Sequence, residues 1–178
     1  ILYLQQDMRE FGLYGTVKAV VSVCDSMNYI LTEKDLEQVF ACVNNYLDPG
    51  GLFLFDLKTI HYFRDVCGDC VLADSREEGS FIWENSWFEE EQINEYDLTL
   101  FIREESGLYR REQELHDQRG YEIDTVRQIL MQAGMEWVSA LDADTMKEAT
   151  ESSERIYIMA REKGKKNKIE NRKDDRNV

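Results

Sequence analysis

The sequence predicts an α/β protein whose parallel sheet carries an antiparallel β insertion. The main observation is the run Val17–Cys24, in which six of eight residues are apolar and four are valines. A continuous apolar run of this length is typical of a parallel strand that helices cover on both faces. After residue 62 the apolar residues instead alternate with polar ones, which indicates antiparallel strands with one solvent-exposed face.

The composition is that of one globular domain, predicted to span residues 1–161. Of the 178 residues 43% are hydrophobic, so the chain can bury a sizeable core. No apolar run reaches the roughly 18 to 20 residues that span a bilayer, and no basic and then apolar leader is present, so we expect a cytoplasmic protein. The net charge of −15 would repel phosphate backbones and argues against nucleic-acid binding. The polar residues 162–178 are predicted to form a disordered tail.

Polar residues follow the first two predicted strands. Asp7 comes shortly after the short apolar stretch Ile1–Leu4, and the group Asp25–Asn28 comes directly after Val17–Cys24. In open α/β sheets ligands bind outside the carboxyl ends of the strands. A carboxylate there can accept from a ribose hydroxyl or an adenine amine, although a turn or helix-capping role explains Asp7 equally well.

A strand–helix–strand unit is predicted from Val17 to Asp56. Thr32 and Asp35 resemble a capping box at the start of a helix. The helix is indicated by apolar residues at helical spacing, namely Leu36, Val39, Phe40, Val43 and Leu47. The turn Asp48–Gly51 contains Pro-Gly-Gly and ends the helix before the second buried strand, Leu52–Asp56.

The antiparallel insertion is predicted for about residues 65–121. Its strands lie near residues 81–87, 96–102 and 109–115, where apolar and polar residues alternate. A helix over 123–133 follows and ends at Gly134. Two further strands, near Met135–Leu141 and Arg155–Ala160, predict an antiparallel pair at the edge of the sheet.

The cysteines predict no metal site. Cys24 lies in the apolar strand and Cys42 in the apolar helix, so both are interpreted as small core residues. The pair Cys67 and Cys70 has a spacing known from metal and redox sites, but only His61 is near enough to serve as a third zinc ligand. An ordinary loop position is therefore the favoured interpretation of this pair, and redox chemistry is the alternative.

These motifs together resemble the class I S-adenosylmethionine-dependent methyltransferases. The resemblance rests on the strand before Asp7-Met8-Arg9, the strand end Cys24–Tyr29, the turn Leu47–Gly51, and the helix end Ala133-Gly134 before a final hairpin. It covers about residues 1–161 and implies a Rossmann-like sheet. The insertion that leads into His116–Tyr121 resembles the small-molecule branch with sugar and glycine N-methyltransferases.

The resemblance implies a role for each matching residue. Asp7 and the Met8 amide would contact the adenine of S-adenosylmethionine, and Cys24 and Asp25 would line its methionine side. Tyr29 could orient or deprotonate a small-molecule nitrogen or oxygen acceptor, since a phenol both donates and accepts. The predicted acceptor side also includes His116, as a second catalytic residue, and the substrate contacts Asn28, Arg119 and Tyr121. Structural roles explain His116, Arg119 and Tyr121 equally well.

The sequence departs from the family pattern in one large respect. It contains no Gly-x-Gly, the loop with which the family holds the methionine half of the cofactor, and it begins at what would be the third strand. In the family strand order 3-2-1-4-5-7-6, the two absent strands would lie between Ile1–Leu4 and Val17–Cys24. We therefore expect a truncated part of a methyltransferase, and a non-catalytic remnant or interaction module is the alternative.

Two further expectations follow from the absent strands. A dinucleotide-dependent oxidoreductase would share the sheet, but it also needs a glycine-rich turn that opens a helix, and Pro49-Gly50-Gly51 precedes a strand. The exposed edge of Val17–Cys24 is predicted to be closed by Ile1–Leu4 or by a second chain in a homo-oligomer, or else to make the chain insoluble, because an open apolar edge recruits another strand.

Overall fold

The computed structural model describes residues 1–165 as a main sheet with two α-helices and a second sheet formed by the insertion. In chain order the elements are β1 (Val17–Ser22), α1 (Glu33–Tyr46), β2 (Leu47–Lys58), β3 (Val71–Ser75), β4 (Gly79–Phe88), β5 (Ile93–Arg103), β6 (Tyr109–Arg119), α2 (Ile123–Gln132), β7 (Met135–Asp142) and β8 (Arg155–Glu162). Two short helical turns, Ser26–Tyr29 and Tyr62–Cys67, follow β1 and β2.

The main sheet has the strand order β1-β2-β8-β7. β1 and β2 are parallel, with Ser22 opposite Phe55, whereas β8 is antiparallel to both β2 and β7. This order is the 4-5-7-6 half of the sheet that the resemblance implies. The predicted strand–helix–strand unit and the antiparallel pair at the sheet edge are therefore confirmed.

Helix α1 forms because its sequence supplies both a cap and an apolar stripe. The Thr32 hydroxyl accepts a 3.0 Å hydrogen bond from the amide of Asp35 and so satisfies a free N–H at the helix start. On the buried stripe, the Phe40 ring lies 5.9 Å from the Phe53 ring and 5.3 Å from the Phe55 ring of β2. No helix within residues 1–165 is long and apolar enough to span a membrane.

The insertion is a four-stranded antiparallel sheet in the order β3-β4-β5-β6. The alternating pattern predicted three of these strands and missed β3, whose residues are all exposed. In the register of the sheet, Tyr96 lies between Asn85 on β4 and His116 on β6, and Asn94 lies opposite Gln118. These side chains share one face of the sheet because alternate residues of a strand point the same way.

The structure corrects the predictions made for the first two strands. Residues Ile1–Leu4 form no strand and are exposed, because none of the described strands pairs with them. β1 is not covered on both faces: Val21 is 61% exposed and Val23 44% exposed. Cys24 is also exposed instead of lying in the core, because no described residue packs over this face.

The end of β8 lies further along the chain than the predicted boundary of the tail. Glu162 is buried, and its carboxylate accepts a 2.9 Å hydrogen bond from the amide of Gly50. The ammonium group of Lys165 lies 3.0 Å from the carbonyl oxygen of Leu47, beyond the end of α1. The predicted start of the tail at residue 162 is therefore wrong, and the rest of the prediction, residues 166–178, lies outside the described residues.

The Pro-Gly-Gly segment fits between β1 and the end of α1 because Gly51 has no side chain. A Cβ atom at Gly51 would lie 2.9 Å from the carbonyl oxygen of Asp48 and 3.1 Å from that of Lys18. The pairing of β1 with β2 shifts register at this point, between Val17 and Ala19. Backbone atoms cannot move aside as a flexible side chain can, so the close approach requires glycine.

We predict that Gly51→Ala lowers the free energy of unfolding by about 1–3 kcal/mol, because the added methyl group overpacks the joint between β1 and β2. Gly15→Ala is the matched control, since a Cβ atom at Gly15 meets no atom within 4 Å. Urea unfolding followed by circular dichroism measures both changes. Equal unfolding midpoints for the two variants would contradict the prediction.

Candidate functional site

A pocket of about 190 Å³ lies where the carboxyl ends of β1 and β2 meet the insertion sheet. The main sheet contributes its charged floor, and the inner face of the insertion contributes a largely aromatic wall. The lining residues are Asp25, Tyr29, Lys58, Trp83, Tyr96, Leu98, His116 and Gln118. This is the sheet edge at which the sequence predicted a ligand site.

Two carboxylates and two cations form the floor of the pocket: Asp25 and Lys58 line it, and Arg155 and Asp56 lie behind Asp25. Asp25 adopts a left-handed backbone conformation with φ of 63°, and its amide donates a 3.2 Å hydrogen bond to Oδ1 of the buried Asp56. The Arg155 guanidinium forms ion pairs with both carboxylates, and Nζ of Lys58 lies 3.1 Å from Oδ2 of Asp25. Because each buried charge has a partner of opposite sign, the floor is electrically balanced.

The charges of the floor keep Arg155 protonated. Burial by itself would lower the pKa of Arg155, but the neighbouring Asp25 and Asp56 outweigh burial and raise the pKa above its usual value. The guanidinium therefore stays a fixed link between the ends of β1 and β2.

Lys58 lies between two tyrosine rings. Its Nζ atom is 5.1 Å from the ring centre of Tyr62 and 5.3 Å from that of Tyr96, so both rings contribute cation–π contacts. The same atom lies 3.3 Å from the Tyr96 hydroxyl oxygen. Burial raises the pKa of Tyr96 above its usual value, so the phenol stays protonated and keeps a hydrogen to donate into the pocket.

Tyr29 and His116, which the sequence predicted as catalytic residues, lie next to each other. The Tyr29 hydroxyl is 3.3 Å from Nδ1 of His116, and the two rings meet edge to face. On its other side Nε2 of His116 lies 3.2 Å from Oε2 of Glu114. A carboxylate at Nε2 favours the tautomer whose Nδ1 can accept a proton. The three groups therefore form a chain along which a proton can move from the pocket.

Two buried polar atoms of the pocket wall have no hydrogen-bond partner among the described residues. They are Nε1 of Trp83, a donor, and Oε1 of Gln118, an acceptor, and Gln118 is only 2% exposed. An unpaired buried polar group costs about 1–3 kcal/mol. A ligand with one hydrogen-bond acceptor and one donor would remove this cost at both atoms.

Asn28 is fully buried and its amide bonds only to main-chain atoms. Its Nδ2 group donates to the carbonyl oxygens of Lys58 at 3.0 Å and Arg119 at 2.8 Å, and its Oδ1 accepts from the amide of Lys58 at 3.0 Å. The side chain has no accessible surface, so in this arrangement it joins β1, β2 and β6. The geometry is that of a structural link, although Asn28 was predicted as a substrate contact.

Arg119 and Tyr121 hold the loop that leads into α1. The Arg119 guanidinium donates to the carbonyl oxygen of Leu31 at 3.0 Å and lies 5.0 Å from the Tyr121 ring. The buried Tyr121 hydroxyl donates to the carbonyl oxygen of Ile30. Tyr121 lines a separate cleft of about 530 Å³, which also contains His61. Neither predicted substrate contact lines the pocket beside Tyr29.

The residues predicted to bind the cofactor lie in two segments, one before β1 and one directly after it. The carboxylate of Asp7 accepts from the Arg9 side chain, which lowers the pKa of Asp7 to about 2 and keeps it ionised. Met8 packs against the edge of the core. Cys24, exposed at the end of β1, has a left-handed φ of 66°, like Asp25 after it.

The sequence analysis missed Lys58, Tyr96 and Gln118 as residues of the pocket. Tyr96 lies on the alternating face of β5, so period-two spacing could have placed it on an inner face. Lys58 lies two residues after Asp56, the acid at the end of the predicted strand. A charged residue at a strand end is only a weak indication of a binding site. Nothing local marks Gln118, because only the register of β6 brings it into the pocket.

The chain has relatives named as methyltransferases. No protein-family model matches it. It is 35% identical over 162 residues to a Putative methyltransferase of Geobacillus sp. strain WCH70 and 34% identical over 161 residues to the Putative methyltransferase YqeM of Bacillus subtilis strain 168. Each alignment includes 90% of the chain and 65% of the relative, so the chain spans just under two thirds of the relatives' length.

Solved structures with the same fold are S-adenosylmethionine-dependent methyltransferases. One from Clostridium acetobutylicum ATCC 824 has a TM-score of 0.81 at 24% identity, with 89% of this chain and 63% of that chain covered. The sugar N-methyltransferase KedS8 of Streptoalloteichus sp. has a TM-score of 0.67 at 16% identity, with 86% and 60% covered. These comparisons confirm the class I methyltransferase fold that the resemblance predicted.

We predict that Asn28→Ala lowers the free energy of unfolding by about 2–4 kcal/mol, because it leaves main-chain groups of Lys58 and Arg119 buried without partners. The matched control is Asn45→Ala, at an exposed position of α1. Urea unfolding monitored by circular dichroism gives both values. If Asn28→Ala unfolds at the same urea concentration as Asn45→Ala, the structural link is not important for stability.

Proposed function

Because the chain has the class I S-adenosylmethionine-dependent methyltransferase fold and relatives named as methyltransferases, we propose that the whole protein methylates a nitrogen or oxygen atom of a small molecule. The observation that carries this proposal is the Tyr29–His116–Glu114 chain at the carboxyl end of β1. It brings proton-accepting groups to the sheet edge at which ligands of α/β proteins bind.

The size and chemistry of the pocket support a small, uncharged and polar acceptor. Pockets for drug-sized ligands begin at about 300 Å³, and this one has about 190 Å³. Its floor charges are already paired with each other, so no single charge is left to select an ionic group. The acceptor would donate to Oε1 of Gln118, accept from Nε1 of Trp83 and pack against Tyr96.

Tyr29 and His116 supply the proton chemistry. The acceptor atom loses a proton as it is methylated, and the Tyr29 oxygen takes that proton while the phenol hydrogen moves to Nδ1 of His116. Glu114 stabilises the imidazolium that forms and, being 56% exposed, leads the proton to solvent. Positioning of the acceptor by the pocket wall contributes much of the remaining acceleration.

The described residues fit only part of S-adenosylmethionine, which when bound supplies an electrophilic methyl group on its sulfonium. The ionised Asp7 can accept from the adenine amine, next to the Met8 amide, and the exposed backbone of Cys24 and Asp25 can line the methionine side. The sequence contains no Gly-x-Gly for the methionine carboxylate. We infer that a further segment of the whole protein supplies these contacts, as the greater length of the relatives allows.

The same inference accounts for the open edge of β1. Within residues 1–165 only β2 pairs with β1, and Val21 of β1 is 61% exposed. The cofactor-binding segment would pair there in the whole protein, and a second copy would pair there when the chain is by itself. We place the protein in the cytoplasm, where thiols are mostly kept reduced, and expect no nucleic-acid partner.

A methyl-transfer assay on the natural gene product that contains this sequence tests the proposed function. We predict that Tyr29→Phe and His116→Gln each lower kcat about a hundredfold or more towards amino sugars, polyols or small amines, with radiolabelled S-adenosylmethionine as donor. His61→Gln, which changes the only other histidine, should leave kcat unchanged. A whole protein that binds no S-adenosylmethionine would instead support the non-catalytic alternative.

Sedimentation tests the open edge. We predict that the 178-residue chain associates as its concentration rises and that Val21→Lys weakens this association, because a charge on an exposed edge strand discourages pairing. Val66→Lys, at a 48% exposed position after β2, is the matched control. A monomer at all concentrations, or an equal effect of both variants, would contradict the role of the β1 edge.

A further inference from the structure

The loop Cys67–Cys70 brings two thiols together beside the acceptor pocket. It joins the helical turn after β2 to the insertion, and the two Sγ atoms are 3.9 Å apart. Both side chains are partly exposed, so a small reagent can reach them. The proposed methyl transfer gives this pair no task.

A metal ion is not the best explanation of the pair. In the part of the chain that the structure describes, no three His, Cys, Asp or Glu side chains converge as ligands. His61, the nearest candidate by sequence, instead directs Nδ1 to Oδ2 of Asp65 at 2.9 Å. What the geometry does offer is a reaction between the two thiols.

We propose that Cys67 and Cys70 form a reversible intramolecular disulfide. A disulfide bond is about 2.05 Å long, so the sulfur atoms must approach each other by less than the width of one atom. Gly68, between them, has φ of 50° and ψ of −151°, a conformation that a residue with a side chain rarely adopts. The glycine gives the loop the backbone freedom that closure requires.

The oxidant in this proposal is a low-molecular-weight disulfide such as oxidised glutathione. The thiolate of one cysteine attacks a sulfur atom of the oxidant, forms a mixed disulfide and releases one thiol. The thiolate of the other cysteine then attacks the mixed disulfide and releases the second thiol. The two cysteines lose two electrons and two protons, and the two released thiols gain them.

The chemistry of Cys67 makes closure pH-dependent. Burial, together with the neighbouring Cys70, raises the pKa of Cys67 to about 11. Cys67 must be a thiolate in one of the two steps, and well below this pKa its ionised fraction rises about tenfold per pH unit. Closure is therefore slow near neutral pH and accelerates as the pH rises.

Formation of the disulfide would affect the acceptor pocket through Tyr62. The Tyr62 phenol is close enough to Cys67 to oppose in part the rise in the pKa of the thiol, and the Tyr62 ring contacts Nζ of Lys58. The loop is also tied to β4, since Asp69 accepts from the amide of Trp87 and Cys70 accepts from the amide of Asn85, each at 2.9 Å. A new bond between the sulfur atoms changes contacts on both sides.

The experiment maps the thiols after oxidation. The 178-residue chain is treated with oxidised glutathione, its free thiols are alkylated, and it is digested with trypsin without a reductant. The peptide Asp65–Arg76 contains both cysteines, whereas Ala19–Lys34 contains Cys24 and Asp35–Lys58 contains Cys42. We expect Asp65–Arg76 to lose two hydrogen atoms and carry no alkyl group, to regain both thiols after reduction, and to close faster at pH 8 than at pH 7.

Cys70→Ser is the control, and its peptide should stop at a stable glutathione adduct on Cys67. Alkyl groups on both cysteines of the unchanged chain would overturn the proposal. A lasting glutathione adduct on either cysteine would overturn it as well, because a neighbouring thiol should displace that adduct. Since no methyl transfer is measured, this result and that of the assay on Tyr29 and His116 are independent.

Discussion

The site depends on the contact that Asn28 makes with the backbone of β2 and β6. Its one amide bonds to Lys58 and Arg119, residues 30 and 91 positions away, and thereby fixes the distance between the main sheet and the insertion. Tyr29 follows Asn28 directly, and His116 lies three residues before Arg119. The buried hydrogen bonds of Asn28 to the main chain therefore fix the positions of Tyr29 and His116 relative to each other. The geometry of the proton-transfer chain depends on these main-chain contacts.

The floor of the pocket shows a second constraint, since four charged groups share a partly buried space. Two carboxylates without cations, or two cations without carboxylates, would leave buried charge without a partner, which is costly in free energy. Arg155 enters from β8, so the strand that pairs with β2 in the main sheet also completes the balance of charge. Because the charged groups of the floor are paired with each other, recognition of an acceptor depends on the neutral side chains of the wall, Trp83 and Gln118.

Local sequence patterns predicted most helices and strands. They failed where the structure depends on contacts with residues that are distant in the sequence. The cap of α1, its apolar stripe and the final antiparallel pair are encoded within a few residues, and all three are present. The segment Asp48–Gly51, predicted as a turn before the second strand, instead belongs to β2. The stretch Ile1–Leu4 has strand composition, but no strand within residues 1–165 pairs with it, so composition alone gave a wrong prediction. Lys58 and Gln118 enter the site through sheet register and a contact between sheets, which no window of sequence contains. Tyr29 and His116 came from a family resemblance, and the structure brings them together over 87 residues.

The register of the insertion sheet has a consequence for how related chains can vary in length. A deletion of one residue within β5 would turn Tyr96 outward and bring Asp97 into its place, so that an acid would replace a ring beside Lys58. Gains and losses of residues should therefore be excluded from β5 and β6 in related genes and be concentrated in the distal loop of residues 104–108. An alignment of related chains would show the insertion varying in length at its tip while its base keeps a constant length.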